Sequence, residues 1–304
     1  MRTLLTPVLL FCIAVAAFSQ NNKPTLTIAK ADSLLFAGDY KSARDIYRKV
    51  MDENTKNPGA WTRYGLSNLN LKNYEEAVKW YESALTQKPP ARIRVNTFAG
   101  LSRAYANTNN NAKAVICLDS AAALGYLNLQ LVDTHDDFKA LRNEPRFKEV
   151  RQRIYLNANP CMTDPKAREF DFWLGEWDVY VTGTKNIAGH NKIELSSGGC
   201  ALLENWDSNA SSGKSLNFID PATGKWRQTW VGSYAHGSQD FTHGEYKDGA
   251  MRFVFEGTSN GQKFIGRFIF FNEKPGQVRQ FNETSTDGGK TWVTAYDFTY
   301  VRRE

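Results

Sequence analysis

Histidine and cysteine are scarce in this chain, with four of each in 304 residues. No two cysteines fall in a Cys-x-x-Cys pair or in zinc-ribbon spacing, so neither dithiol redox chemistry nor a structural zinc is supported. His-Glu-x-x-His, a phosphate-cradling glycine loop and a strand-to-helix nucleophile elbow are all missing, which removes the commonest enzyme motifs. Blocks of one charge are missing too. The 38 Lys and Arg are interspersed with 32 Asp and Glu for a formal net charge of +6. A mixed pattern of that kind is a poor match to a nucleic-acid backbone.

Only one long apolar run occurs, Leu4 to Phe18, preceded by Arg2 and ending at Ala17-Phe18-Ser19 with small residues at cleavage positions. It is shorter than the ~20 apolar residues of a membrane span. It reads as a secretory signal peptide over residues 1–19, with Gln20 as the new N-terminus; an uncleaved anchor is the alternative. Bulky Phe11 precedes Cys12 inside the run, so lipidation is not expected. The expectation is an exported protein, periplasmic or secreted, with no membrane span. Its net charge falls to +5 once Arg2 is taken from the +6. Export permits disulfides. Cys161 and Cys200 flank the first strand-like run of the second half, where an antiparallel sheet would bring them together. That pair is expected to be bridged, and Cys117, inside a helical pattern, to be a small core thiol.

Residues 25–156 are rich in Ala, Leu, Lys and Asn at helical spacing, and they repeat. Gly38-Asp39-Tyr40 through Ala43 to Tyr47 recurs as Lys72-Asn73-Tyr74 through Ala77 to Tyr81, an offset of 34. This resembles the tetratricopeptide repeat, a helix–turn–helix unit of that period. Gly65, Ala77 and Ala84 fall where paired helices approach closely, Tyr74 is expected to fill the space beneath, and Pro89 to end the second helix. A looser third copy follows, in which Gly100, Ala114 and Ala121 match if the Asn107–Asn111 turn is longer by two residues. Segments containing Phe138, Leu141, Phe147 and Ile154 would cap the stack. The resemblance implies a groove for a protein or peptide partner, with a scaffold for the second domain as the alternative. His135, among Asp133, Asp136 and Asp137, reads as a solvated helix start rather than a metal ligand.

Asn157-Ala158-Asn159-Pro160 breaks the helical pattern, and residues 161–304 turn aromatic and glycine-rich. Alternation puts Trp226, Gln228 and Trp230 on one face, Leu202, Glu204 and Trp206 on another, and Tyr296, Phe298, Tyr300 and Arg302 on a third. Eight to ten short strands with tight turns predict an antiparallel meander that closes. Ser285-Thr286-Asp287-Gly288-Gly289-Lys290-Thr291-Trp292 resembles the Asp-box of sialidase-type propellers. A single copy cannot make a ring of blades, so the string is expected to be a hairpin turn.

Gly175-Glu176-Trp177, within the stretch from Phe170 to Val181, resembles the G-x-W that opens the first strand of lipocalins and other calycins. Gly199 to Trp206, Trp226 to Trp230 and the Asp287 turn extend the likeness to an exported bacterial family of lipocalin-like barrels without assigned activity. That resemblance implies a barrel end closed by Trp177 under Arg302 of the last strand, and a Cys161–Cys200 bridge. The fold class expected is therefore α+β: a tetratricopeptide-like helical stack followed by an antiparallel lipocalin-like barrel.

Such a barrel can hold one small ligand. Shared strand faces make Glu204, Trp206, Ser215, Asn217, Gln228 and Trp230 the candidates for a small, partly apolar molecule. The competing reading has the tryptophans filling the interior while Glu204 and Gln228 satisfy each other. His236, His243 and Glu245 are the densest set of potential metal ligands, and Glu204 with Glu256 or Glu283 the conceivable carboxylate pairs. The reading chosen is a non-catalytic binding protein without a cofactor. A barrel hydrolase or metal-dependent enzyme, and a purely structural interaction protein, are the alternatives.

Overall fold

The computed structural model describes residues 27–53, 57–233, 237–259 and 261–303. The expected signal peptide lies outside the described residues. The chain divides into two compact units, one ending at Asn110 and the other starting at Asn111.

The first unit is built of helices α1 (Ile28–Phe36), α2 (Tyr40–Glu53), α3 (Pro58–Asn70), α4 (Tyr74–Thr86) and α5 (Ala91–Asn107). Caps set their starts. The Thr27 hydroxyl accepts from the Lys30 amide, and Asn57 accepts from Ala60 ahead of Pro58 in the first turn of α3. Residues 28–92 thus form paired helices whose contacts are made by small side chains. Ala31, Ala43, Ala60, Ala77 and Ala84 are fully buried. The residue filling the space between helices is Tyr81, not Tyr74. Tyr74 is half-buried, while the Tyr81 ring is wedged against Gly65 and Gly100. A Cβ at Gly100 would sit 2.3 Å from Tyr81 Cζ, so α5 can pass this close only as glycine.

The second unit opens with α6 (Asn111–Ala123), α7 (Leu129–Thr134) and α8 (Pro145–Ala158). Phe138, Leu141, Phe147, Val150 and Ile154 are buried here, and Cys117 is buried on α6 outside any disulfide. Three 3-10 turns then lead into ten strands: β1 (Gly175–Val181), β2 (Ile187–Ser196), β3 (Ala201–Asp207), β4 (Ser212–Asp220), β5 (Lys225–Gly232), β6 (Gln239–Lys247), β7 (Ala250–Ser259), β8 (Gln262–Lys274), β9 (Gln277–Ser285) and β10 (Val293–Arg302). Every neighbour in the meander is antiparallel, and β10 pairs back onto β1, Trp177 opposite Arg302. The sheet is a closed barrel.

One end is sealed by residues 160–174. Phe170 stacks on Trp173 with centroids 5.0 Å apart and meets Phe270 at the same distance, and the Trp173 carbonyl accepts from the Trp177 indole at 2.9 Å. Arg302 lies over the Trp177 ring, 4.5 Å from its centroid, and donates to the Leu174 carbonyl at 2.8 Å. Cys161 and Cys200 form a disulfide that ties this plug to the turn between β2 and β3. The Asp287 string joins β9 to β10. Its carboxylate accepts from Ser285, Lys290 and Thr291, which holds it well below the usual carboxylate range.

The bridge closes a loop with a sequence separation of 39, a length for which chain entropy gives about 4 kcal/mol. Replacing both cysteines by serine is expected to lower barrel stability by about 2–4 kcal/mol in urea unfolding followed by tryptophan fluorescence. An unchanged midpoint would mean that packing alone holds the plug.

Candidate functional site

Alternation sends Glu204 and Trp206 of β3, Ser215 and Asn217 of β4, and Trp226, Gln228 and Trp230 of β5 into the barrel. The register places Glu204 opposite Ser215, Ser215 opposite Trp230, and Asn217 opposite Gln228. Large rings fill the plugged half. In the other half they stop short of filling it and leave a cavity of about 490 Å³. That volume falls in the usual range of small-molecule sites.

Two glycines shape its wall. A Cβ at Gly213 would come within 2.2 Å of the Trp230 indole, and one at Gly189 within 2.7 Å of the Trp206 indole. Each tryptophan therefore lies flat across the bare backbone of the neighbouring strand instead of projecting to the barrel axis. Opposite them, Phe298 stacks with Trp206 at 6.2 Å and 15°, and with Tyr296 at 5.0 Å and 19°. Phe241 meets Phe255 edge-on at 4.9 Å and closes the remaining side.

The floor is polar. Glu204, 3% exposed, accepts from Asn191 Nδ2 at 2.7 Å, Ser215 Oγ at 2.5 Å and Gln228 Nε2 at 3.4 Å. Asn217 and Gln228 donate to Ser215 Oγ at 2.9 and 3.1 Å, and the Tyr300 hydroxyl donates to Gln280 Oε1 at 3.0 Å. Burial pushes the Glu204 carboxyl up to about 7, opposed by the bonds from Ser215 and Asn191. Tyr300 is also raised, first by burial and then by the charge of Glu204.

Of the six residues expected at a ligand site, Glu204, Trp206, Gln228 and Trp230 line the cavity. Ser215 and Asn217 stand behind it and orient Glu204. Gln228 does bond Glu204, as the competing reading required, yet space remains beside them. Sequence reasoning missed the β10 wall of Tyr296, Phe298 and Tyr300, and Gln280 and Asn282 of β9. The alternation of the β10 residues and the closing of the meander were expected; the stacking of Phe298 on Trp206 of β3, across two intervening strands, was not.

The described metal candidates, His243 and Glu245, have separate partners. His236 lies outside the described residues, His243 is exposed with its ring on Thr242, and Glu245 pairs with Lys225. No group of three or more His, Cys, Asp and Glu among the described residues is placed to hold a metal. His135 pairs with Asp137 at 3.2 Å. Glu283 pairs with Arg267, and Glu256 is exposed, so neither joins Glu204. One G-x-S-x-G string does occur, Gly257-Thr258-Ser259-Asn260-Gly261, but its serine is the last residue of β7 and the next element is the strand β8, not a helix. It is not a nucleophile elbow.

Residues 28–92 match the model of the tetratricopeptide repeat. No curated protein matches the chain. The molecule is thus a helical repeat region followed by a closed ten-strand antiparallel barrel.

Glu204 binds its proton more tightly in the folded barrel than in the unfolded chain, whose ordinary value is 4.5. Its contribution is fully present below pH 4.5 and is lost as pH rises through about 7. The loss amounts to about 3 kcal/mol. Urea unfolding of the wild type and Glu204→Gln across this window should show the variant gaining on the wild type by that amount. A difference independent of pH would mean that Glu204 ionises normally.

Proposed function

We propose that this is an exported, non-catalytic protein whose lipocalin-like barrel binds a small, partly apolar molecule. The observation that carries the reading is a cavity with aromatic walls and a hydrogen-bonded polar floor, the make-up of small-molecule sites in general. Trp206, Trp230, Tyr296 and Phe298 are half-buried around it. The helical repeat is the part suited to a protein or peptide partner, as such stacks are elsewhere. The disulfide fits an oxidising compartment.

A second reading has one observation in its favour. A buried carboxyl titrating near neutrality inside a cavity is a common mark of acid–base catalysis. Against it, the hydroxyl nearest Glu204 belongs to Ser215, which stands behind the wall.

Native mass spectrometry of the protein recovered from the exporting cell tests the proposal. A bound small molecule is expected, and Trp230→Ala should weaken its retention about tenfold or more, since stacking on one large ring contributes on the order of 1–3 kcal/mol. Retention unaffected by that change would put the ligand elsewhere. A wholly empty barrel would favour a structural role.

A further inference from the structure

This inference rests on the ligand-binding reading and narrows it. We propose that the barrel selects small organic cations, seating an ammonium group against Glu204 and the apolar remainder between the aromatic walls.

Three observations converge on that class. First, among the described residues Glu204 is the one acid on the cavity wall, and no described Lys, Arg or His lines it. An anionic ligand would meet a carboxylate and no counter-charge. Second, the donors holding Glu204, namely Asn191, Ser215 and Gln228, are all neutral. A buried carboxylate without a cation is costly, and an unpaired one is the worst case. An ammonium entering the cavity supplies the missing charge, and the carboxylic acid gives up its proton to solvent when it does. Third, the wall around Glu204 is aromatic, with Trp206, Trp230, Phe241 and Tyr296 all lining the cavity. Ring faces carry negative potential and attract a cation, most strongly where water is excluded.

The remaining donors of an ammonium group also find acceptors. Asn282 is 4% exposed and lines the cavity. Its side chain makes no hydrogen bond with any described residue. Tyr300 and Gln280 stand on the same side of the floor. The Asn282 amide oxygen is an acceptor on the wall of the cavity that Glu204 also lines.

Calorimetry of the full mature chain with three probes of one shape provides the test: tryptamine, tryptophol and indole-3-acetate. Tryptamine is expected to bind at least tenfold tighter than tryptophol at pH 7.5, with indole-3-acetate weakest. Its affinity should fall about tenfold for each pH unit below 7, with close to one proton released per ligand, because Glu204 must ionise to pair with it. Measurement in two buffers of different ionisation enthalpy counts that proton. Glu204→Gln, nearly the same shape, should erase the advantage of tryptamine and the proton release while leaving tryptophol binding unchanged. The wild-type pH series stands by itself if that variant fails to fold. Tryptophol or indole-3-acetate binding as well as tryptamine would overturn the cation preference and leave the small-ligand reading intact. Binding of none of the three would overturn both.

Discussion

Closure of the sheet is the constraint on which the rest depends. When β10 pairs with β1, no strand keeps an open edge, and every second residue of ten strands must face one shared interior. A ring of that many strands is too wide for aliphatic side chains to fill. This chain meets the problem at one end with a plug and the aromatic rings packed against it. Phe170, Trp173, Trp177, Trp226, Phe270 and Tyr300 pack into one buried cluster there. Above it the rings lie against the walls, because Gly189 and Gly213 give the tryptophans backbone to lie on. The cavity is therefore a product of where glycine stands, as much as of where aromatic residues stand.

The Glu204 carboxyl follows from the same geometry. Placed midway along β3, it sits at the boundary between the filled and unfilled halves, where water is largely excluded but space is not. Its three neutral donors offset part of the desolvation and leave the group titrating near neutrality. A well-packed apolar residue at this position would stabilise the barrel better, since buried charges seldom repay their desolvation. A carboxyl there, held by Ser215 with Asn217 bonded in turn to Ser215, is intelligible on the proposed reading as part of a recognition surface.

Much of this was legible beforehand, for identifiable reasons. Helical repeats announce themselves because a close contact demands a small residue at a fixed spacing, as at Ala77 and Ala43. Strand alternation gave the inward set on β3 to β5, because neighbours in a meander are also neighbours in sequence. What was illegible depends on contacts that sequence order does not encode. Tyr81 rather than Tyr74 fills the helical interface because Gly65 and Gly100 both open toward it. Closure was expected, but not that Phe298 of β10 would stack on Trp206 of β3 across two intervening strands. Serine and asparagine at 215 and 217 share a face with Glu204, but periodicity cannot say which member of a face touches the cavity and which stands behind.

On the ligand-binding reading proposed above, the two ends of the barrel divide stability from recognition. At the sealed end, the disulfide, the Arg302–Trp177 stack and the plug's rings fix the interior before any ligand arrives. At the other, the Asp287 turn is tied by its own side chain to the backbone of Lys290 and Thr291, so the rim beside Tyr296 needs no ligand to order it. A site preorganised in this way loses little entropy on binding. Its selectivity then has to come from what the fixed walls present, and those walls present aromatic faces, neutral amides and a single carboxyl. Discrimination by charge is the strongest device available to such a surface, because a rigid cavity cannot rearrange to compensate a buried group of the wrong sign.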